Sequence, residues 1–110
     1  MSVANHIELS SAAKRDLNRL STTAHRQIVK ALTERLAAVP PPENLDVKSL
    51  EGAPGWLRLR VGTYRVLYRA MTEEELGTAR ARHGELPGPE GFLVARVVHR
   101  RDLHAAARSL

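Results

Sequence analysis

Cysteine is absent from the 110 residues. That excludes disulfides, thiolate metal sites and thiol nucleophiles, and it suits a reducing, cytoplasmic setting. Lysine is scarce: Lys14, Lys30 and Lys48 are the only three among 17 cationic side chains, and the rest are arginine. No apolar run approaches the roughly 20 residues of a membrane span, so no membrane insertion is expected. The opening MSVANHIELS lacks the basic start and apolar stretch of a secretory signal. No glycine-flanked serine elbow exists, so Ser10, Ser11 and Ser21 read as helix caps. No pair among His6, His25, His83, His99 and His104 has ligand spacing on one element, so neither a metal nor another cofactor is expected. One long stretch also lacks acids: none lies between Glu51 and Glu73.

What is present fits one domain over residues 1–110. Apolar residues make up 43%, enough for a modest core, and the formal charge is +5. The charge is uneven. A polar inserted segment at about 72–90 holds Glu73, Glu74, Glu75, Glu85 and Glu90 against Arg80 and Arg82 alone, so the remaining body is more basic than the total. Such a body suits an anionic partner or plain solubility.

Ala4–Leu9 reads as a first strand. Ser10–Ser11 caps a helix whose apolar face is Ala13, Leu17 and Leu20. Ser21–Thr23 breaks it and caps a second helix with the stripe Ala24, Ile28, Ala31, Leu32, Leu36 and Val39, stopped by Pro40–Pro42. The two form an antiparallel helical hairpin. LDVKSLEGAPG reads as a connector. Two strands follow in GWLRLRVGTYRVLYRA, turning at Gly62–Thr63 as a type II′ hairpin. Thr72 and Glu75 have capping-box spacing at the start of the polar segment, which decorates a hairpin connection. Phe92–Val98 is a third β-rich run, and RRDLHAAARSL closes the chain as a short helix or tail. The expected class is α+β: an N-terminal helical hairpin on one face of a small, mostly antiparallel four-stranded sheet, with the other face open.

Alternation assigns the faces. Leu57, Leu59, Val61, Tyr64, Val66 and Tyr68 point to the helices, joined by Leu93, Ala95 and Val97. Arg58, Arg60, Arg65, Arg69, Arg96 and Arg100 collect on the other face, with Arg60 opposite Arg65. Like charges directly opposite cost about 0.2–1 kcal/mol per pair. With no acids in these strands, the face is either simply solvated or built for an anion such as a phosphate backbone, which guanidinium forks bind bidentately. Trp56 shares that face, where it either stacks on a base or covers the sheet edge. His99 alternates to the opposite face.

KSLEGAPGWLRLRVGTYRVLYRA and FLVARVVHRRDLH resemble the RelE/ParE toxin superfamily of type II toxin–antitoxin systems, and AAKRDLNRL matches its N-terminus more loosely. The resemblance spans most of the chain apart from 72–90, which is longer than usual. It implies the fold just described. In the RelE-like branch, favoured here, it implies a metal-independent endoribonuclease that cuts mRNA on the ribosome, the 2′-hydroxyl attacking the adjacent phosphorus. In the ParE-like branch, the alternative, it implies inhibition of DNA gyrase. Carried over by motif, the catalytic set is Arg58 and Arg60 on the first hairpin strand, Arg65 after the turn, Arg100 at the end of the last strand, and His104. His104 stands where a tyrosine is usual, and histidine titrates near neutrality. Trp56, Arg69, Arg96 and Arg101 are the expected RNA-binding residues. The resemblance also implies a cognate acidic, partly disordered antitoxin lying over the helices or the basic face.

Overall fold

The computed structural model describes residues 3–110. The first extended run divides into β1 (Val3–Ala4) and β2 (His6–Leu9). Ser10 then ends the strand and starts α1 (Ser11–Asn18). Its backbone is extended (ψ 163) and its Oγ accepts from the Ala13 N–H at 3.0 Å, so one of the helix's unpaired N–H groups is satisfied. Ser21 repeats the device for α2 (Thr22–Ala31), accepting from Ala24 at 3.2 Å. The last turn widens into a π-helical segment, Leu32–Leu36, closed by Ala37 N–H donating to the Leu32 carbonyl at 2.9 Å.

The prolines act earlier than their position indicates. Helical geometry stops at Ala37, and Ala38–Val39 forms β3, antiparallel to β1. The residue before a proline is pushed out of the α region, so Val39 leaves the helical stripe and is exposed.

The connector after Pro42 contains a further strand, β4 (Val47–Ser49). Next come β5 (Leu57–Val61), β6 (Tyr64–Ala70), α3 (Glu73–His83) and β7 (Gly91–His99), then a 3-10 turn over Arg100–Asp102 that runs straight into α4 (Leu103–Arg108). The main sheet thus has five strands rather than four, in the order β2-β7-β6-β5-β4, parallel only between β2 and β7. The β5–β6 hairpin has the expected register, Val61 opposite Tyr64 and Arg60 opposite Arg65. Gly62 has φ 59 and no described non-glycine residue has positive φ, so Thr63 is negative and the turn is II′ in kind.

Leu57, Leu59, Val61, Tyr64, Val66 and Tyr68 pack against Ala13, Leu17, Ile28, Leu32 and Leu36 of the helices. In β7 the phase differs from strict alternation. A bulge opposite Leu67/Tyr68 adds one residue, so Phe92 and Val94 face the main core along with Val97. Leu93 crosses to the other side.

That other side is not open. Leu93 packs with Met71, Leu76, Ala79 and Leu86 beneath α3. Leu67, fully buried, packs with Val98, Leu50, Leu103 and Ala106 beneath α4. Helices therefore lie on both faces, and the arginines share theirs with two small apolar clusters.

Candidate functional site

The arginines fall into two groups according to whether a carboxylate meets them. Arg96 donates from Nε and Nη2 to the Asp16 carboxylate at 2.8 and 3.2 Å. The same carboxylate accepts the Val97 N–H at 2.9 Å. β2 pairs with β7 only as far as Val94, and beyond it α1 supplies side chains to the free edge: Ser10 Oγ donates to the Ala95 carbonyl at 2.7 Å, and Asp16 takes Val97. Arg96 is thus part of how α1 docks. Arg69 makes a bidentate pair with Glu75 at 2.6 and 2.9 Å, and its guanidinium lies 5.4 Å from the centre of the Trp56 ring. Trp56, half-buried, is therefore covered by a cation of its own chain. Glu75 also accepts the Thr72 N–H at 2.9 Å, completing the capping box of α3. Arg69 first, and then that N–H, pull the Glu75 carboxyl down to about 2.

The second group gathers where β4, β5 and β6 meet the start of the C-terminal helical segment. Arg58 donates to Asp46 Oδ1 at 3.1 Å, and Arg60 Nη1 lies 3.8 Å from Asp46 Oδ2. Among the described residues the Arg65 guanidinium has only backbone partners, the carbonyls of Gly62 at 3.1 Å and Tyr64 at 2.9 Å. The Arg100 N–H donates to the Thr63 carbonyl at 2.8 Å, which fixes that residue beside the hairpin turn with its side chain exposed. Among the described residues neither Arg65 nor Arg100 meets a carboxylate. Burial holds the Arg65 guanidinium below its usual pKa, and the charges of Arg58, Arg60 and Arg100 lower it further. Asp46 is held below the usual carboxylate range, mainly by the Arg58 hydrogen bond. Arg58 and Arg60 thus share one carboxylate, and Arg65 and Arg100 stand beside them without one of their own among the described residues.

Acids do reach these strands, but from elsewhere in the chain: Asp46, Asp16 and Glu75. Asp46 and Lys48 are the residues of this surface that the sequence reading missed. The signal was the alternation around Val47. Lys48 pairs with Arg58, and the Arg60 N–H bonds the Asp46 carbonyl at 3.0 Å, so a strand at 47–49 sets Asp46 and Lys48 on the arginine face.

His104 is exposed on α4, one turn beyond Arg100 on a continuous helical segment. It lines a surface cleft with Glu51, Gly52, Ala107 and Arg108, apart from the strand arginines. Arg101 is exposed, with Nε 3.9 Å from Asp102. His99 is edge-on to Tyr64 (centroids 6.0 Å apart), on the core-facing side, and its Nδ1 accepts the Arg101 N–H at 3.2 Å. Away from the arginines, the ligand atoms of His6, Glu8 and His83 lie within 4.8 Å of one another. Among the described residues no helix is long and apolar enough to cross a membrane.

The RelBE2 toxin–antitoxin complex of Mycobacterium tuberculosis contains a chain with TM-score 0.63 and 26% identity, matched over 91% of this chain and 95% of that one. The fold is shared with a chain of the RelE–RelB complex of Pyrococcus horikoshii (TM-score 0.58, 20% identity, 87% and 94% covered). It is also shared with one in the RelB–RelE complex of Methanococcus jannaschii (0.53, 15%, 89% and 95%). No curated protein matches the sequence significantly. Residues 7–104 match the ParE toxin of type II toxin–antitoxin systems, so the chain belongs to that family, within the RelE/ParE toxin superfamily.

Proposed function

We propose that this toxin is an endoribonuclease that cuts mRNA on the ribosome, with Arg58, Arg60, Arg65 and Arg100 stabilising the transition state. The supporting observation is the gathering of these guanidiniums with Asp46 meeting only Arg58 and Arg60, so that Arg65 and Arg100 lack a carboxylate among the described residues. In the reaction the 2′-hydroxyl oxygen bonds to the adjacent phosphorus and the P–O5′ bond breaks. The products are a 2′,3′-cyclic phosphate and a free 5′-hydroxyl, and the proton lost at the 2′-oxygen is matched by one gained at the 5′-oxygen. Negative charge builds on the phosphorane oxygens, and fixed cations stabilise that charge without needing to reorganise. Arginine remains protonated throughout, so these residues are charge stabilisers and not proton carriers. His104, one turn from Arg100, is the proton donor assigned to the leaving oxygen. Trp56, Arg69, Arg96 and Arg101 belong to the flanking RNA surface, Arg69 and Arg96 chiefly by holding it in shape.

A second reading, inhibition of DNA gyrase, draws on two observations: the matching family is the ParE toxin, and His104 lines a cleft with Glu51 apart from the strand arginines. In either reading the toxin works in the cytoplasm. Its partner there is a cognate antitoxin, acidic to match the basic body; the similar RelBE2 chain belongs to a toxin–antitoxin complex.

Induction followed by primer extension on mRNA and a plasmid supercoiling assay separates the two. Codon-phased cuts with normal supercoiling support the nuclease; lost supercoiling with intact mRNA supports the gyrase reading. Arg65→Ala should abolish growth arrest while leaving Tm within about 2 °C of wild type, because no side chain depends on it. Undiminished arrest removes the arginine cluster from the working site.

A further inference from the structure

His6 and Glu8 alternate onto the same side of the edge strand β2, opposite to Ile7 and Leu9, which pack on the main core. The last turn of α3 brings His83 over them. His6 Nε2 lies 3.9 Å from Glu8 Oε2, His83 Nε2 lies 4.0 Å from Glu8 Oε1, and the two imidazole rings are 5.7 Å apart. None of these separations is a hydrogen bond. The His6 Nε2 atom is buried and has no hydrogen-bond partner among the described residues. A buried ring nitrogen without a partner is costly, and it calls for an explanation.

We propose that His6, Glu8 and His83 form a divalent transition-metal site, with zinc the best-fitting ion, that fastens the C-terminal turn of α3 to the edge strand. Zinc binds imidazole nitrogen at about 2.0–2.1 Å and carboxylate oxygen at about 2.0–2.2 Å, so tetrahedral ligand atoms stand roughly 3.4 Å apart. The 3.9 and 4.0 Å approaches are to different Glu8 oxygens, and one ligand atom from each residue lies within 4.8 Å of the others, a gap that a swing of the exposed His83 ring closes. Two imidazoles and one carboxylate favour zinc over magnesium or calcium, which take oxygen ligands. A water completes the fourth position on the exposed side. The site sits at the opposite end of α3 from the Glu75–Arg69 pair, so the helix, already packed through Leu76 and Ala79, is held at both termini. Arg82 is the charged neighbour that competes: its Nη1 lies 3.7 Å from Glu8 Oε1, but its side chain is exposed and free to swing away.

The test uses the tag-free full-length chain, stripped with EDTA and titrated with ZnCl2 or MgCl2 by calorimetry, alongside thermal unfolding. One zinc per chain should bind and should raise Tm by about 10 °C at a hundredfold excess over Kd, with no response to magnesium. His83→Ala, at an exposed position, should weaken zinc binding at least tenfold with an unchanged far-UV spectrum. Glu8→Gln, similar in size, should do the same, and Arg82→Ala should tighten binding. No zinc heat from the wild-type chain, or equal affinity in wild type and His83→Ala, overturns the proposal.

Discussion

Asp16 and Arg65 mark the two extremes of what a charged side chain does in this protein. Asp16 is buried and receives three hydrogen bonds, two from Arg96 and one from the Val97 backbone. Removing it strands a guanidinium and a buried strand N–H together. Asp16→Ala should therefore cost about 3 kcal/mol, read as a fall in the urea midpoint at unchanged m-value. Arg65 is the reverse case. Among the described residues its guanidinium bonds only carbonyls near its own turn, and it lies among like charges, so its loss should cost activity while leaving the fold intact. The distinction was invisible in the sequence, where Arg65, Arg69 and Arg96 look equivalent by alternation. The carboxylates that distinguish them arrive from α1 and α3, and no local pattern encodes those meetings.

At the level of elements, much was legible. Ser10, Ser21 and Thr72 each cap the helix that follows, because a side-chain oxygen three residues before a free N–H is a local arrangement. The β5–β6 register followed from one glycine and two alternating runs. β4 was missed because it is three residues long and contributes only Val47 to the main core. Leu93 was assigned to the wrong face because the bulge comes from pairing with β6, not from β7's own residues. α3 makes its own prediction. The Glu75 carboxyl lies at about 2 against an ordinary 4.5, so its folded pKa is depressed. Its stabilisation is complete above pH 4.5 and declines as the pH falls towards 2. Far-UV circular dichroism should show helix lost across that window, and Glu75→Gln should flatten the loss. Gly88 tests the loop that returns from α3. A Cβ there would run into the Ala4 carbonyl oxygen and meet Asn5 Oδ1 at 2.9 Å. Because the first obstacle is backbone, Gly88→Ala should destabilise by roughly 1–3 kcal/mol in chemical denaturation.

On the scale of the whole molecule, charge and connectivity matter most. Asp46 is the one carboxylate among Lys48, Arg58, Arg60 and Arg65, and Asp46→Asn raises the local charge by one. Binding to a short single-stranded RNA should tighten at low salt, and the slope of log K against log salt should steepen by up to about 0.7. An unchanged slope means that the RNA path misses this surface. Connectivity sets a different limit. β7 lies between β2 and β6, and Ser10 reaches Ala95 across 85 positions of sequence. β2 therefore has no strand to join until residues 91–94 exist, and Arg100 comes later still. A nascent chain can form its helical hairpin and the β4–β5–β6 ribbon with Arg58, Arg60 and Arg65, but Arg100 is not yet there to join them. The arginine surface is therefore completed last, when residues 91–100 join strands already formed.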